Sequence, residues 1–200
     1  MPRLPDLDPA ALDPRQSEVY QAIIQGPRGA VEGPLRVWLN SPELADRAQA
    51  LGQFARYDSS LPPDLSELAI LVTARIWGSG FEWAHHAPLA VAAGLSSAAV
   101  DAIALAHWVE FSDDRRNAVF ACSVELHRDR AINDDTYRAG IAALGVRGMV
   151  DLVGICGYYT LISMTINAFE VPDGSGPALP RLELDRSHYF RTASAQVVQG

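Results

Sequence analysis

Lysine is missing from the chain: all sixteen basic residues among its 200 are arginine. That excludes Schiff-base chemistry on a lysine and any phosphate loop centred on one. Cysteine is nearly missing too. Cys122 and Cys156 have neither a metal-binding nor a redox spacing, and both sit in apolar, helix-like context, which reads as two buried small hydrophobes. Basic charge is outweighed, since 24 acidic residues leave a net charge of −8. That balance argues against nucleic acid and against an anionic membrane as partners. No window reads as long and apolar enough to span a bilayer. The start, MPRLPDLDPAALDPR, is polar and proline-rich, unlike a secretory leader. The expected location is cytoplasmic. GxGxxG, P-loop and GxSxG motifs are absent, as are a βαβ rhythm and alternating strand patterns.

What is present is helical. Apolar spacing predicts helices over about 9–25, 41–57, 64–77, 79–93, 98–111, 118–130, 133–143 and 146–168. The breaks fall where the chemistry puts them: Gly26-Pro27, the turn from Asp58 to Pro63, Gly78-Ser79-Gly80, Gly94 and Gly145. Ser41, Ser96 and Asp113 stand where N-caps belong. The last helix is apolar nearly all round and carries Gly148, Gly154 and Gly157, as expected in a core or a subunit interface. The expected fold is all-α, a helical bundle in one domain over residues 1–200. It divides into an N-terminal helical extension (9–57), a motif core (about 58–111) and a C-terminal helix and tail (146–200), with a loose end beyond Arg191.

The candidate chemistry lies in one stretch, ELAILVTARIWGSGFEWAHHAPLAVAAGL from Glu67 to Leu95. Glu82 precedes His85 by three residues and His86 by four, so each pair shares a helix face. A carboxylate beside an imidazole favours the charged ring or holds one tautomer. Phe81 and Trp83 offer an apolar wall. The Gly78-Ser79-Gly80 break allows the chain to reverse and bring Glu67 to the same place. Two carboxylates and a histidine suffice for proton transfer at carbon.

Each of these residues also has a bland explanation. Ser79-x-x-Glu82 and Asp64-x-x-Glu67 have the form of capping boxes, in which the glutamates merely satisfy helix N-termini. Neighbouring helical residues diverge by about 100°, so one of His85 and His86 is expected to face away from any shared pocket. Trp77, Trp83 and Trp108 suit a core. Glu82-x-x-His85 has the spacing of helical di-metal sites, but no second such pair occurs. No metal is therefore expected.

The carrying residues Glu67-Leu-Ala-Ile-Leu, Phe81-Glu82-Trp83-Ala84-His85-His86 and Ala90-Val-Ala-Ala-Gly94-Leu95-Ser96 resemble the carboxymuconolactone decarboxylase family, which includes the alkylhydroperoxidase-D-like proteins. In its redox-active members a glutamate stands twelve residues before a Cys-x-x-Cys-x-x-x-His motif. Laid onto this chain, the glutamate falls on Glu67 and the histidine on His86, while the two cysteines fall on Ser79 and Glu82. The resemblance implies an all-α fold around a central antiparallel hairpin and association as a trimer or hexamer. With both cysteines lost, it implies decarboxylase-like or isomerase-like chemistry on a small acidic lactone or dienoate, without a cofactor, rather than peroxidase chemistry. His86 is then the general acid or base, with Glu82 or Glu67 orienting it. His85, Trp83 and Arg75 are the expected substrate contacts, Arg75 by holding a carboxylate. A thiol redox enzyme and a non-catalytic oligomeric binding protein are the alternatives.

Overall fold

The computed structural model describes residues 2–191 and the backbone of Val198–Gln199. Among these residues the architecture is all-α, as expected. Its helices are α1 (Pro14–Gln25), α2 (Pro34–Trp38), α3 (Pro42–Gln53), α4 (Pro63–Trp77), α5 (Gly80–Ala92), α6 (Ser97–Ala104), α7 (Asp114–Arg128) and α8 (Asp134–Phe169). The exception is a two-residue parallel pairing of β1 (Val109–Glu110) with β2 (Val198–Gln199). The loose end expected beyond Arg191 otherwise lies outside the described residues.

The bundle is built on α4. Every residue from Leu65 to Ile76 is buried, and α5, α7 and α8 pack around this rod. Pro63 starts it with a φ already suited to a helix. Gly78 ends it in the left-handed region (φ 65°), where a side chain would be strained. The chain then folds straight back into α5, which makes the expected hairpin. Side chains cap α1 (Asp13), α6 (Ser96), α7 (Asp113) and α8 (Asn133). Ser41 precedes α3 without a side-chain cap bond.

Three local departures bear on the site. The helix expected over 41–57 changes character at Gln53, and Phe54–Asp58 form one turn of π-helix. Such a turn re-aims its side chains and is frequent at functional sites. The helix expected over 98–111 ends at Ala104, because Ala106 adopts a positive φ (57°). The Phe190 amide donates to the freed Ala106 carbonyl at 2.8 Å. The segment after Val171 is irregular, as its prolines and glycines require, yet it is strapped to the hairpin. The Arg75 Nη1 donates to the carbonyls of Ala104 and Pro180 at 2.8 and 2.7 Å. Gly176 lies so close to α5 that a Cβ there would overlap the Ala84 carbonyl. That carbonyl lacks its helical partner, because Pro88 four residues on has no N–H.

α8 corrects the statement that no window could span a bilayer. An 18-residue window within it passes by length and composition, with mean hydropathy 1.6. Its inward face, including Leu152, Ile155, Tyr158, Tyr159 and Ile162, is buried and meets α4 and α7, the pattern of a core helix. Its outward face is open: Val146 and Val150 are 69% and 64% exposed. Gly154 and Gly157 have no part of the chain within 4 Å of a built Cβ, so they serve no close packing inside the described residues. The break at Gly145 is as expected, with φ 70° and ψ 175°. That conformation is nearly exclusive to glycine and costs other residues about 1–3 kcal/mol. Gly145→Ala should therefore lower the thermal midpoint by roughly 2–4 °C per kcal/mol lost, as read by calorimetry, without changing helix content.

Candidate functional site

The α4–α5 turn brings the three expected catalytic residues into one line. His86 Nδ1 donates to Glu67 Oε2 at 2.7 Å, and its Nε2 lies 3.2 Å from Glu82 Oε2. All three are buried, with exposures of 7% for Glu67, 5% for Glu82 and 2% for His86. The Tyr159 ring stands perpendicular to the imidazole at 5.1 Å and walls it from the other side. The capping-box explanation fails for both glutamates. Pro62 and Ser79 precede the two helices without side-chain cap bonds, because the glutamate carboxylates are turned inward to His86.

With both ring nitrogens facing carboxylates, the arrangement favours the protonated imidazole, which can donate to both. Burial alone drives its pKa down, but the hydrogen bonds and charges of Glu67 and Glu82 outweigh this, and the pKa is raised above 6.5. Removing one partner of such a buried array costs about 3–5 kcal/mol, because a charge is left behind without compensation. Glu82 and His86 line a small cavity of about 90 Å³, while Glu67 stands behind His86 and does not. The array therefore has an inner end that orients and an outer end that can exchange a proton.

Three larger grooves, of about 750, 590 and 320 Å³, lie elsewhere, and none touches His86. Size favours them as ligand sites, but chemistry favours the small cavity, the only one of the four lined by the carboxylate–imidazole array.

Both histidines border the cavity, contrary to the expectation that one must face away. His86 forms its inner wall and His85 its exposed rim, with the rings perpendicular at 4.9 Å. His85 Nε2 accepts from Arg56 Nη2 at 2.8 Å. Desolvation, His86 and Arg56 together lower its pKa to about 4, so it is neutral and can accept. The Glu82–His85 pair that a metal would use is not assembled: Glu82 serves His86, and His85 faces an arginine.

Two expected substrate contacts are placed elsewhere. Trp83 is buried in the core and is not on the cavity lining. Arg75 is buried at the far end of α4, where it fastens the tail and stacks on Tyr189 at 5.4 Å. Its arginine role is available instead to Arg28 and Arg56, which do line the cavity. Sequence reasoning missed both, together with Tyr159. The available signals were an arginine inside the glycine-proline loop 26–33 and adjacent tyrosines in an otherwise apolar helix.

The cysteines are inert. Both are buried and unpaired, and burial pushes the Cys122 thiol up to about 12 and the Cys156 thiol up to about 11. Neither lines the cavity beside His86. Ser79, at the first cysteine position of the redox motif, is buried with its Oγ lacking a hydrogen-bond partner.

A helical bundle whose central hairpin carries a buried carboxylate–imidazole–carboxylate array is the class that this geometry defines. Residues 42–123, from α3 into α7, match the model of the carboxymuconolactone decarboxylase family, in agreement with the motif from Glu67 to Ser96. No curated protein matches the chain significantly.

The protonation pattern can be measured directly. In a ¹⁵N-NMR titration, His86 should hold its proton above the ordinary value of 6.5, while His85 and His127 should stay neutral down to about 4. Because the folded-state pKa is raised, the stability contributed by His86 is complete below the unfolded value. It is lost as pH rises through the folded one.

Proposed function

We propose that the chain catalyses proton transfer at carbon without a cofactor, as a decarboxylase-like lyase or a related isomerase. The substrate is a small carboxylated lactone or dienoate. The family match at residues 42–123 supports this general class. The observation that carries the reading is His86 held at 2.7 Å from Glu67 and 3.2 Å from Glu82, at the wall of a cavity. In decarboxylation the C–C bond breaks, carbon dioxide leaves, and the bonding pair remains on the substrate as an enolate. A proton from the His86–Glu82 bond then closes a new C–H bond, and solvent restores the proton to the pair. In isomerisation the Glu82 carboxylate takes a proton from one carbon, and the same proton returns at another. Glu67 keeps the imidazole oriented throughout and favours the return of its proton.

The alternatives fit less well. Thiol redox chemistry would need a thiolate, and burial holds both cysteines as thiols. A non-catalytic oligomeric binding protein would use the cavity but would not require an imidazole bridged to two buried carboxylates at its wall. A soluble, cytoplasmic setting suits α8, whose inward face is taken up by α4 and α7.

The direct test is a screen of small carboxylated lactones and dienoates by absorbance, with wild type and variants side by side. His86→Ala and Glu82→Gln should lower kcat by about 10²–10⁴-fold, the usual worth of general acid–base groups. Turnover unchanged in His86→Ala would sink the reading.

The chain is further proposed to self-associate as a trimer or hexamer through α8, whose Val146, Val150, Val153 and Met164 are exposed in one stripe. Val150→Glu should shift the mass seen by light scattering toward the monomer while leaving the helical spectrum intact.

A further inference from the structure

The cavity beside His86 carries two arginines that no carboxylate neutralises. Among the described residues, neither Arg28 nor Arg56 has an acidic partner within 4.0 Å. Arg56 already gives one hydrogen bond to His85. Arg28 is the less satisfied of the two. Its Nη2 donates to Tyr158 Oη at 3.0 Å, while its Nε is buried without any partner. A buried guanidinium N–H left unpaired is costly; Arg75 Nε is unpaired in the same way, but only Arg28 of the two lines this cavity.

The position of Arg28 is built rather than incidental. Tyr158 is fully buried on α8. Opposite it, Gly52 on α3 is buried, and a Cβ there would overlap both Tyr158 Oη and Arg28 Nη2. Three separate elements therefore cooperate to seat one guanidinium: the 26–33 loop supplies it, α8 holds it, and α3 leaves the notch it needs. Arg28 and Tyr158 both lie outside the matched segment 42–123.

We infer that Arg28, with Arg56 beside it, is the anion-binding residue of this pocket, and that it seats the carboxylate of the substrate next to Glu82 and His86. The inference rests on the proton-transfer reading for its catalytic consequence, but not for the binding itself. The cavity volume of about 90 Å³ is roughly that of three water molecules. That space suits the carboxylate end of a ligand, with the remainder left at the His85 rim. The class selected is an acid whose reacting carbon lies within one or two bonds of a carboxylate. Esters and amides of the same shape are rejected, because they leave the guanidinium charge unanswered. Glu32, the other carboxylate on the lining besides Glu82, is exposed at the rim and disfavours a second negative charge there.

Acetate and propionate are the probes, with acetamide as the neutral isostere. Binding is read by calorimetry and by the shift of the His86 ring signals on full-length protein. The carboxylates should bind and acetamide should not. Arg28→Gln should weaken carboxylate binding by about tenfold or more, the worth of a charge-assisted hydrogen bond. Arg28→Lys should recover only part of it, since it keeps the charge and loses the fork. Gly52→Ala should weaken binding as well, by displacing the guanidinium with its charge intact. If Gly52→Ala fails to fold, the two Arg28 variants decide the matter alone. With an active substrate, Arg28→Gln should raise KM far more than it lowers kcat, whereas Glu67→Gln should do the reverse. Acetate binding undiminished in Arg28→Gln overturns the inference. Binding lost in Arg28→Gln together with unchanged turnover in His86→Ala upholds the anion site and overturns the proton-transfer reading.

Discussion

An imidazole held between two buried carboxylates is the constraint to which the rest of the molecule answers. Taking ionisable groups such as these out of water costs several kcal/mol for each charge after relaxation, and only close, mutual hydrogen bonds compensate. Those bonds survive only if α4 and α5 cannot slide against each other. Hence α4 is buried from Leu65 to Ile76, the turn is a two-residue break fixed by Gly78 at φ 65°, and Tyr159 of α8 closes the third side. The preorganisation that makes such an array useful for proton transfer is the same rigidity that makes it tolerable in a core.

Much of this was legible in the sequence because it depends on spacing. The interval from Glu67 to His86 is a property of the chain, and a glycine break midway leaves one compact way to fold it. The left-handed end at Gly78, the caps at Ser96 and Asp113 and the interruption at Gly145 follow equally from local chemistry. The capping boxes show where such inference stops. Ser79-x-x-Glu82 satisfies a local rule, but tertiary bonds to His86 claim the carboxylate. Arg75 illustrates the same limit from the other side. Proximity in sequence to the motif placed it near the site, whereas α4 carries it two turns away from Glu67 and into the tail. Arg28 was marked only by its place in a glycine-proline loop, which does not say where the loop lies. Its seat depends on Gly52 and Tyr158, residues far apart in the chain whose meeting only the assembled bundle decides.

The composition of α8 is ambiguous for a related reason. A helix that is apolar on every side can belong to a core, a subunit interface or a bilayer, and hydropathy does not separate the three. The packing of its inward face on α4 and α7 settles half of that circumference. The outward stripe from Val146 to Met164 is the half left exposed.

Pro88 has a consequence beyond the bond it removes. By leaving the Ala84 carbonyl without its helical donor, it opens a place on the surface of α5 that only a residue lacking a side chain can approach, and Gly176 fills it. Serine stands on one side of that glycine and proline on the other. The tail thus lies on the hairpin in a register fixed by Gly176, against slips of one residue. A one-residue insertion or deletion between Glu170 and Gly176 would put Ser175 or Pro177 against the carbonyl and lift the strap, so this stretch of apparent loop has a length as strictly defined as that of any helix it crosses.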